Sequence, residues 1–189
     1  MRCRMTPSDG SIPRMQMFRT TYTTPNRDTS LDNVIIAHEY GHGLSNRLTG
    51  GPAASGCLGN YEQAGEGWSD LLGMFMTHQP SDTRTTQRVT GGWSFNRAGG
   101  IRNAPYTTDM NVNSYTYADR IAGSGLSRPH GIGFLWASIY WEVYWNLIDL
   151  VPFDPDLTAS GSGGNNIALQ LYIDGMKLQP CLCRFQTSY

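Results

Sequence analysis

Apolar residues fall into four stretches with helical character, separated by one long segment that keeps no period. Val34, Ile35, Ile36, Ala37, Tyr40 and Leu44 recur at intervals of three and four, which predicts an amphipathic helix. Ser30 or Asp32 can cap it and Gly50-Gly51-Pro52 stops it, so the helix is expected over 32–48. Glu66-Gly67-Trp68-Ser69-Asp70-Leu71-Leu72 opens a second helix over 66–76, closed by His78 as a surface cap. Residues 131–150 are the most apolar run and nearly long enough to cross a bilayer, but they contain Glu142 and Asn146. A central carboxylate costs about 2.5–3.5 kcal/mol in lipid, so a buried core helix is expected. A last helix is expected over 167–177, after the glycine-rich loop 161–166. Trp68, Trp136, Trp141 and Trp145 lie on these helices as core residues. Asp154-Pro155-Asp156 lacks the carboxylate count of a calcium loop and reads as a turn.

Before the first helix, Met15, Met17 and Tyr22 alternate enough for a short strand, followed by the turn signal Thr24-Pro25-Asn26-Arg27-Asp28. Between 77 and 128 the chain is rich in Gly, Asn, Thr, Arg and Tyr without a period. Irregular structure with short strands is expected there, and a stretch of that length in a compact domain usually serves a site.

Composition narrows the function classes. The chain has 189 residues, which fits one domain or a divided pair of lobes. Only 15% of residues are charged, 14 basic against 15 acidic, and Lys177 is the single lysine. No basic face is visible, which argues against nucleic acid or an anionic membrane as partner. The start, Met1-Arg2-Cys3-Arg4, is basic but has no apolar run behind it, so no secretory signal is read. Four cysteines, Cys3, Cys57, Cys181 and Cys183, match neither a CxxC nor a zinc-ribbon spacing, and the redox compartment stays open.

The chemistry begins at His38-Glu39-Tyr40-Gly41-His42, an HExxH. On a helix, residues i and i+4 share a face, so both imidazoles reach one metal ion and Glu39 sits beside it as a base. A catalytic zinc takes three protein ligands and keeps one position open, so a third donor must come from another element. The four glutamates are Glu39, Glu62, Glu66 and Glu142. Glu66 opens a helix, with Asp70 one turn later, placed to accept the free N–H of a metal-bound imidazole. Glu62 has neither the helix nor the follower, and no fourth clustered His or Cys supports a closed structural site.

The stretch from His38 through Leu44-Ser45-Asn46-Arg47-Leu48-Thr49-Gly50-Gly51-Pro52, followed by Gly65-Glu66-Gly67-Trp68-Ser69-Asp70, resembles the fungalysins. These are secreted fungal zinc metallopeptidases of the gluzincin clan, related to thermolysin. The resemblance extends to His130-Gly131-Ile132-Gly133, Trp145-Asn146-Leu147-Ile148-Asp149 and Ile173-Asp174-Gly175-Met176-Lys177, and fades after Cys181. Gly41 departs from the family's usual Thr and is expected to soften the helix by about 1 kcal/mol.

The resemblance implies an α+β, thermolysin-like zincin, represented mostly by its helical carboxy-terminal portion with an incomplete amino-terminal β-lobe. Residues 1–181 would be a partial catalytic domain and 182–189 a divergent tail. It implies one Zn2+ on His38, His42 and Glu66, with Asp70 behind His38 and Glu39 as catalytic base. His130 is implied as a hydrogen-bond donor to the oxyanion, oriented by Asp119, its other reading being a residue that caps the start of the apolar helix; a looser resemblance implies Tyr117 as a second donor, against core or loop packing. It also implies a Cys57–Cys181 disulfide, secretion, an inhibitory propeptide and extracellular protein or peptide substrates. The competing reading is a zinc-binding module without turnover, a fragment serving as a binding or decoy domain.

Overall fold

The computed structural model describes residues 15–60, 64–121, 125–158 and 160–181. Among them are four helices: α1 (Asn33–Leu48), α2 (Gly65–Thr77), α3 (His130–Leu150) and α4 (Gly164–Leu178). One small antiparallel sheet pairs β1 (Arg19–Thr20) with β2 (Arg27–Asp28) in the register Arg19↔Asp28 and Thr20↔Arg27. This mostly helical arrangement with a minor sheet is compatible with the α+β class. The strand expected from Met15 to Tyr22 shrinks to two residues, because the chain turns back after Thr20. Cys3, Cys183, Glu62 and the tail 182–189 lie outside the described residues.

Asp32 starts α1. Its backbone is extended (φ −108°, ψ 101°) and one carboxylate oxygen accepts the Ile35 N–H at 3.3 Å, satisfying one of the orphan donors of the first turn. The other oxygen accepts the Ser94 N–H at 3.1 Å and the Ser94 hydroxyl at 2.9 Å. The same buried carboxylate thus caps a helix and anchors a loop 62 residues away.

The core forms where α2, α3 and α4 meet. Phe75 stacks on Tyr144 at 5.0 Å, Trp141 on Tyr144 at 4.5 Å, and Tyr172 meets Phe75 edge-on at 5.4 Å. Trp141, Tyr144, Tyr172 and Phe134 are almost fully buried, each contributing about 1.5–3 kcal/mol through the apolar surface it removes from water. Trp145 is buried too, while Trp68 and Trp136 pack partly buried against the cluster. Two of the polar tips are tied down, the Tyr172 hydroxyl donating to the Trp68 carbonyl at 2.8 Å and the Trp68 indole N–H to Gln179 Oε1 at 2.9 Å. No helix among the described residues is long and apolar enough to cross a membrane. Glu142 stands on the open side of α3, 3.6 Å from Arg84.

Helix packing is set by close approaches. A Cβ on Gly67 would lie 2.4 Å from the Gly133 carbonyl oxygen, and one on Gly133 would lie 2.4 Å from the Glu66 Cβ. The α2–α3 crossing therefore requires glycine on both helices, and it seats Glu66 directly against the first turn of α3. Gly41 has a similar task, since a Cβ there would come within 2.7 Å of Ser69 Cα. The residue that lowers helix propensity in α1 is what lets α2 pack so near.

Two further expectations are corrected. Residues between α2 and α3 hold no named strand among those described, only a single bridge between Arg88 and Tyr106. His78 takes the C-cap position of α2 as expected, but not at the surface. Its ring turns inward, stacks on Phe153 at 4.3 Å and shares a hydrogen bond with the Tyr144 hydroxyl at Nδ1, 2.7 Å away, because the aromatic cluster at the end of α2 offers apolar contact that solvent does not. A disulfide joins Cys57 to Cys181, tying the loop after α1 to the end of α4.

Two expectations for stability follow from this packing. Gly133→Ala should destabilise the fold by at least 2 kcal/mol, read as a lowered midpoint in chemical denaturation, because the new methyl meets helix backbone; an unchanged midpoint would contradict the crossing described. Burial lowers the His78 pKa from 6.5 to about 4. The unfolded chain then binds the proton more readily than the folded one, so stability is complete above pH 6.5 and falls as pH drops toward 4. His78→Asn should remove roughly 1–2 kcal/mol of the acid-side loss, allowing for screening of a partly exposed ring, as read from melting curves at pH 7 and pH 4.5.

Candidate metal centre

His38 and His42 project from one face of α1, their ring centroids 4.7 Å apart and their planes at 90°. Glu66, in the first turn of α2, brings its carboxylate to both. Oε2 lies 3.4 Å from His38 Nε2 and Oε1 lies 3.5 Å from His42 Nε2. One ligand atom from each of the three residues lies within 4.8 Å of the other two.

The surroundings of His38 decide which of its nitrogens faces this cluster. Nδ1 donates to Asp70 Oδ1 at 2.7 Å, leaving Nε2 free to point at the Glu66 carboxylate. Asp70 is itself completely buried, and four hydrogen bonds converge on it. Arg102 donates Nε to Oδ2 at 2.6 Å and Nη2 to Oδ1 at 3.0 Å, and the Tyr106 hydroxyl makes a short bond to Oδ2. Arg102 Nη2 also reaches Glu66 Oε2 at 3.0 Å, so one guanidinium braces both carboxylates of α2.

Electrostatics follow from this arrangement. Burial alone would raise the carboxyl of Asp70, yet Arg102 and His38 hold it well below the ordinary range. Glu66 likewise resists burial and falls to about 2, through the hydrogen bond and charge of His38 together with His42 and Arg102. Burial pushes His38 down, but Asp70 and Glu66 bring it up to about 9. His42 falls to about 4, from burial and from the neighbouring charge of His38. Glu39, nearly buried beside the pair, is raised by burial, partly offset by the charge of His38.

The donor set, two imidazole nitrogens and one carboxylate, is the set that suits a catalytic zinc. The fixed tautomer of His38 and the braced Glu66 fit that ion as well, since outer partners orient such ligands and raise their basicity. The three donors and Glu39 line a cleft of about 880 Å³.

Of the other residues singled out from the sequence, His130 reaches this cleft. It opens α3, and its Nε2 lies 3.5 Å from Glu66 Oε1 with a largely exposed ring. Tyr117 does not. Its ring is half-exposed beneath the Arg120 guanidinium, 4.7 Å away, and lines a separate hollow with Ile132, Leu135 and Trp136. Asp119 accepts the Thr116 N–H at 2.7 Å, capping that short turn rather than orienting His130. Arg102 and Tyr106 had no assigned role in the sequence. Both belong to the aperiodic segment, whose length was the only signal for them.

A family model described as fungalysin metallopeptidase (M36) matches residues 3–188. The chain is 47% identical over 184 residues to "Extracellular metalloproteinase MEP" of Fusarium vanettenii. It is 45% identical over 183 residues to "Extracellular metalloproteinase 2" of Trichophyton tonsurans, and as similar to "Extracellular metalloproteinase mep" of Aspergillus fumigatus. Each match covers 93% of this chain and 28% of the relative, so the chain spans little more than a quarter of their length.

The bonds on Asp70 predict how firmly the site retains a metal. Tyr106→Phe should release zinc to a chelator about 10-fold faster than the parent and Asp70→Asn still faster, within the 10–100-fold range of such outer partners. Release at the parental rate in both variants would show that the brace does not act on the ligands.

Proposed function

This chain belongs to the fungalysin metallopeptidase family, and from that premise we propose that it carries the zinc-binding and catalytic centre of a secreted, thermolysin-like endopeptidase. In this reading residues 1–181 are part of the catalytic domain. Its substrates are peptide bonds of extracellular proteins. The observation that carries the reading is the convergence of His38, His42 and Glu66 from two helices, with Glu39 in the same cleft.

Zinc held by those three side chains supplies Lewis-acid chemistry, polarising a carbonyl and bringing the acidity of water toward neutral pH. Glu39 is one position past His38, so it stays off the ligand set and close to the reacting atoms. Its raised pKa suits a carboxylate that takes a proton from water and later delivers one to the leaving amine. His130, whose Nε2 lies 3.5 Å from Glu66 Oε1, donates its Nε2–H to the oxyanion that develops on the scissile carbonyl. Asp70, held by Arg102 and Tyr106, keeps the His38 ring in one orientation throughout. The rival reading is a zinc-binding module without turnover.

The purified chain, loaded with one equivalent of zinc, separates the two readings with a quenched fluorescent peptide. Chelator-sensitive hydrolysis is expected. Glu39→Gln should lose about 10³-fold in kcat while retaining the metal, and His130→Ala about 10²-fold. One bound zinc with no hydrolysis by the parent chain would establish the module instead.

A further inference from the structure

The cleft has a second wall, built from the segment just before Arg102. Tyr22, Phe95, Arg97 and Ile101 line it together with the zinc-ligand residues. Tyr22 and Phe95 stack at 5.8 Å with 26° between their planes, giving an aromatic shelf. Arg97 follows two residues after Phe95 and is exposed.

The turn that presents Arg97 is held from both sides. Ser94 is buried and gives its N–H and hydroxyl to Asp32, the residue that caps the helix carrying His38 and His42. Arg27 donates to the carbonyl of Trp93 and, at 2.9 Å, to Asn96 Oδ1, while its guanidinium lies 5.2 Å over the Trp93 ring. Within the turn, Phe95 N–H bonds to the Gly91 carbonyl at 3.0 Å and Arg97 N–H to the Gly92 carbonyl at 2.9 Å. Asn96 takes a left-handed backbone (φ 50°), a conformation that costs energy and persists only where its surroundings enforce it. Position 97 is therefore fixed relative to the metal ligands through Asp32.

The arginines around this wall differ in what occupies them. Arg27 is spent on the turn, and Arg102 on Asp70 and Glu66. Arg97 makes no side-chain hydrogen bond or ion pair with any described residue, and the acidic residues lining the cleft are Glu39 and Glu66, which have their own tasks. A guanidinium at the rim of a substrate cleft, on a braced turn and without a partner among the described residues, matches a carboxylate in charge and in its two-pronged geometry.

We propose that Arg97 is a specificity-determining residue that selects peptides carrying a carboxylate on the segment lying along the Tyr22–Phe95 shelf. The proposal rests on the peptidase reading for the substrate's being a peptide. The carboxylate belongs either to an Asp or Glu side chain or to the free carboxy terminus of a short peptide, and both present the same group to Arg97.

The test uses the zinc-loaded chain with Glu39→Gln, so that binding is read without turnover. Fluorescein-labelled peptides in Glu and Gln versions, each with a free or an amidated carboxy terminus, are titrated at low and high salt. The Glu peptide should bind about 5-fold tighter than its Gln counterpart if the side chain is the source, and the free acid tighter than the amide if the terminus is. Arg97→Gln should bring the ratio to about 1, Arg97→Lys should restore part of it, and salt should erase it. Lys177→Gln, which removes an equal charge far along α4, should preserve the ratio. A ratio near 1 in the parent, or one unaffected by Arg97→Gln, overturns the assignment. Hydrolysis by the chain with intact Glu39 reads the peptidase proposal separately, since the ratio of binding constants needs no cleavage.

Discussion

A carboxylate with no exposed surface lies at the centre of this structure. Asp70 is removed from water entirely, a position tenable for an ionised group only when charge and hydrogen bonds replace the lost hydration. His38, Arg102 and Tyr106 provide them. The first comes from α1 and the other two from the irregular segment, so satisfying Asp70 fixes α1, α2 and that segment against one another. The orientation of His38, the seat of Glu66 and the closed back of the cleft are consequences of that single requirement.

A second buried carboxylate repeats the arrangement at the start of α1. Asp32 starts the helix that carries both histidines and holds Ser94 with its remaining oxygen. Together the two acids bind the aperiodic segment to the helices at two points, near its Ser94 and Arg102 positions. A segment without regular secondary structure is thereby held as a wall of the cleft. Steric fit completes the frame, since Gly67 and Gly133 let α2 and α3 touch along their backbones and bring Glu66 and His130 within 3.5 Å.

How much of this is legible before folding depends on the range of the signal. The histidines sit four apart on a helix whose cap and stop are local, and Glu66 and Asp70 repeat that spacing on a helix of their own. Such patterns are readable because helix geometry is fixed at 3.6 residues per turn. Boundaries of α1 and α2 follow for the same reason, whereas α4 starts three residues ahead of its apolar run, at Gly164, because Asn166 accepts the Gly163 N–H there. His78 closes α2 as its position indicates, but a lone imidazole after a helix carries no mark of the Phe153 and Tyr144 rings that enclose it. Resemblance alone draws Tyr117 toward the site, whereas packing, its other reading, is what the Ile132 hollow provides.

By itself the sequence determined the chemistry available: two imidazoles on one helical face, a carboxylate between them in sequence, and a Glu–Asp pair at the same spacing on the next helix. These depend on positions at most four residues apart, where backbone geometry is the only translator. The tertiary structure alone decided which groups surround that chemistry. Arg102 and Tyr106 are brought to Asp70, and Arg97 and Phe95 to the rim, by pairings across dozens of residues, and an aperiodic segment has no repeat from which such pairings can be read. Its conformation is chosen by the buried charges it must satisfy, and those exist only once the helices have packed.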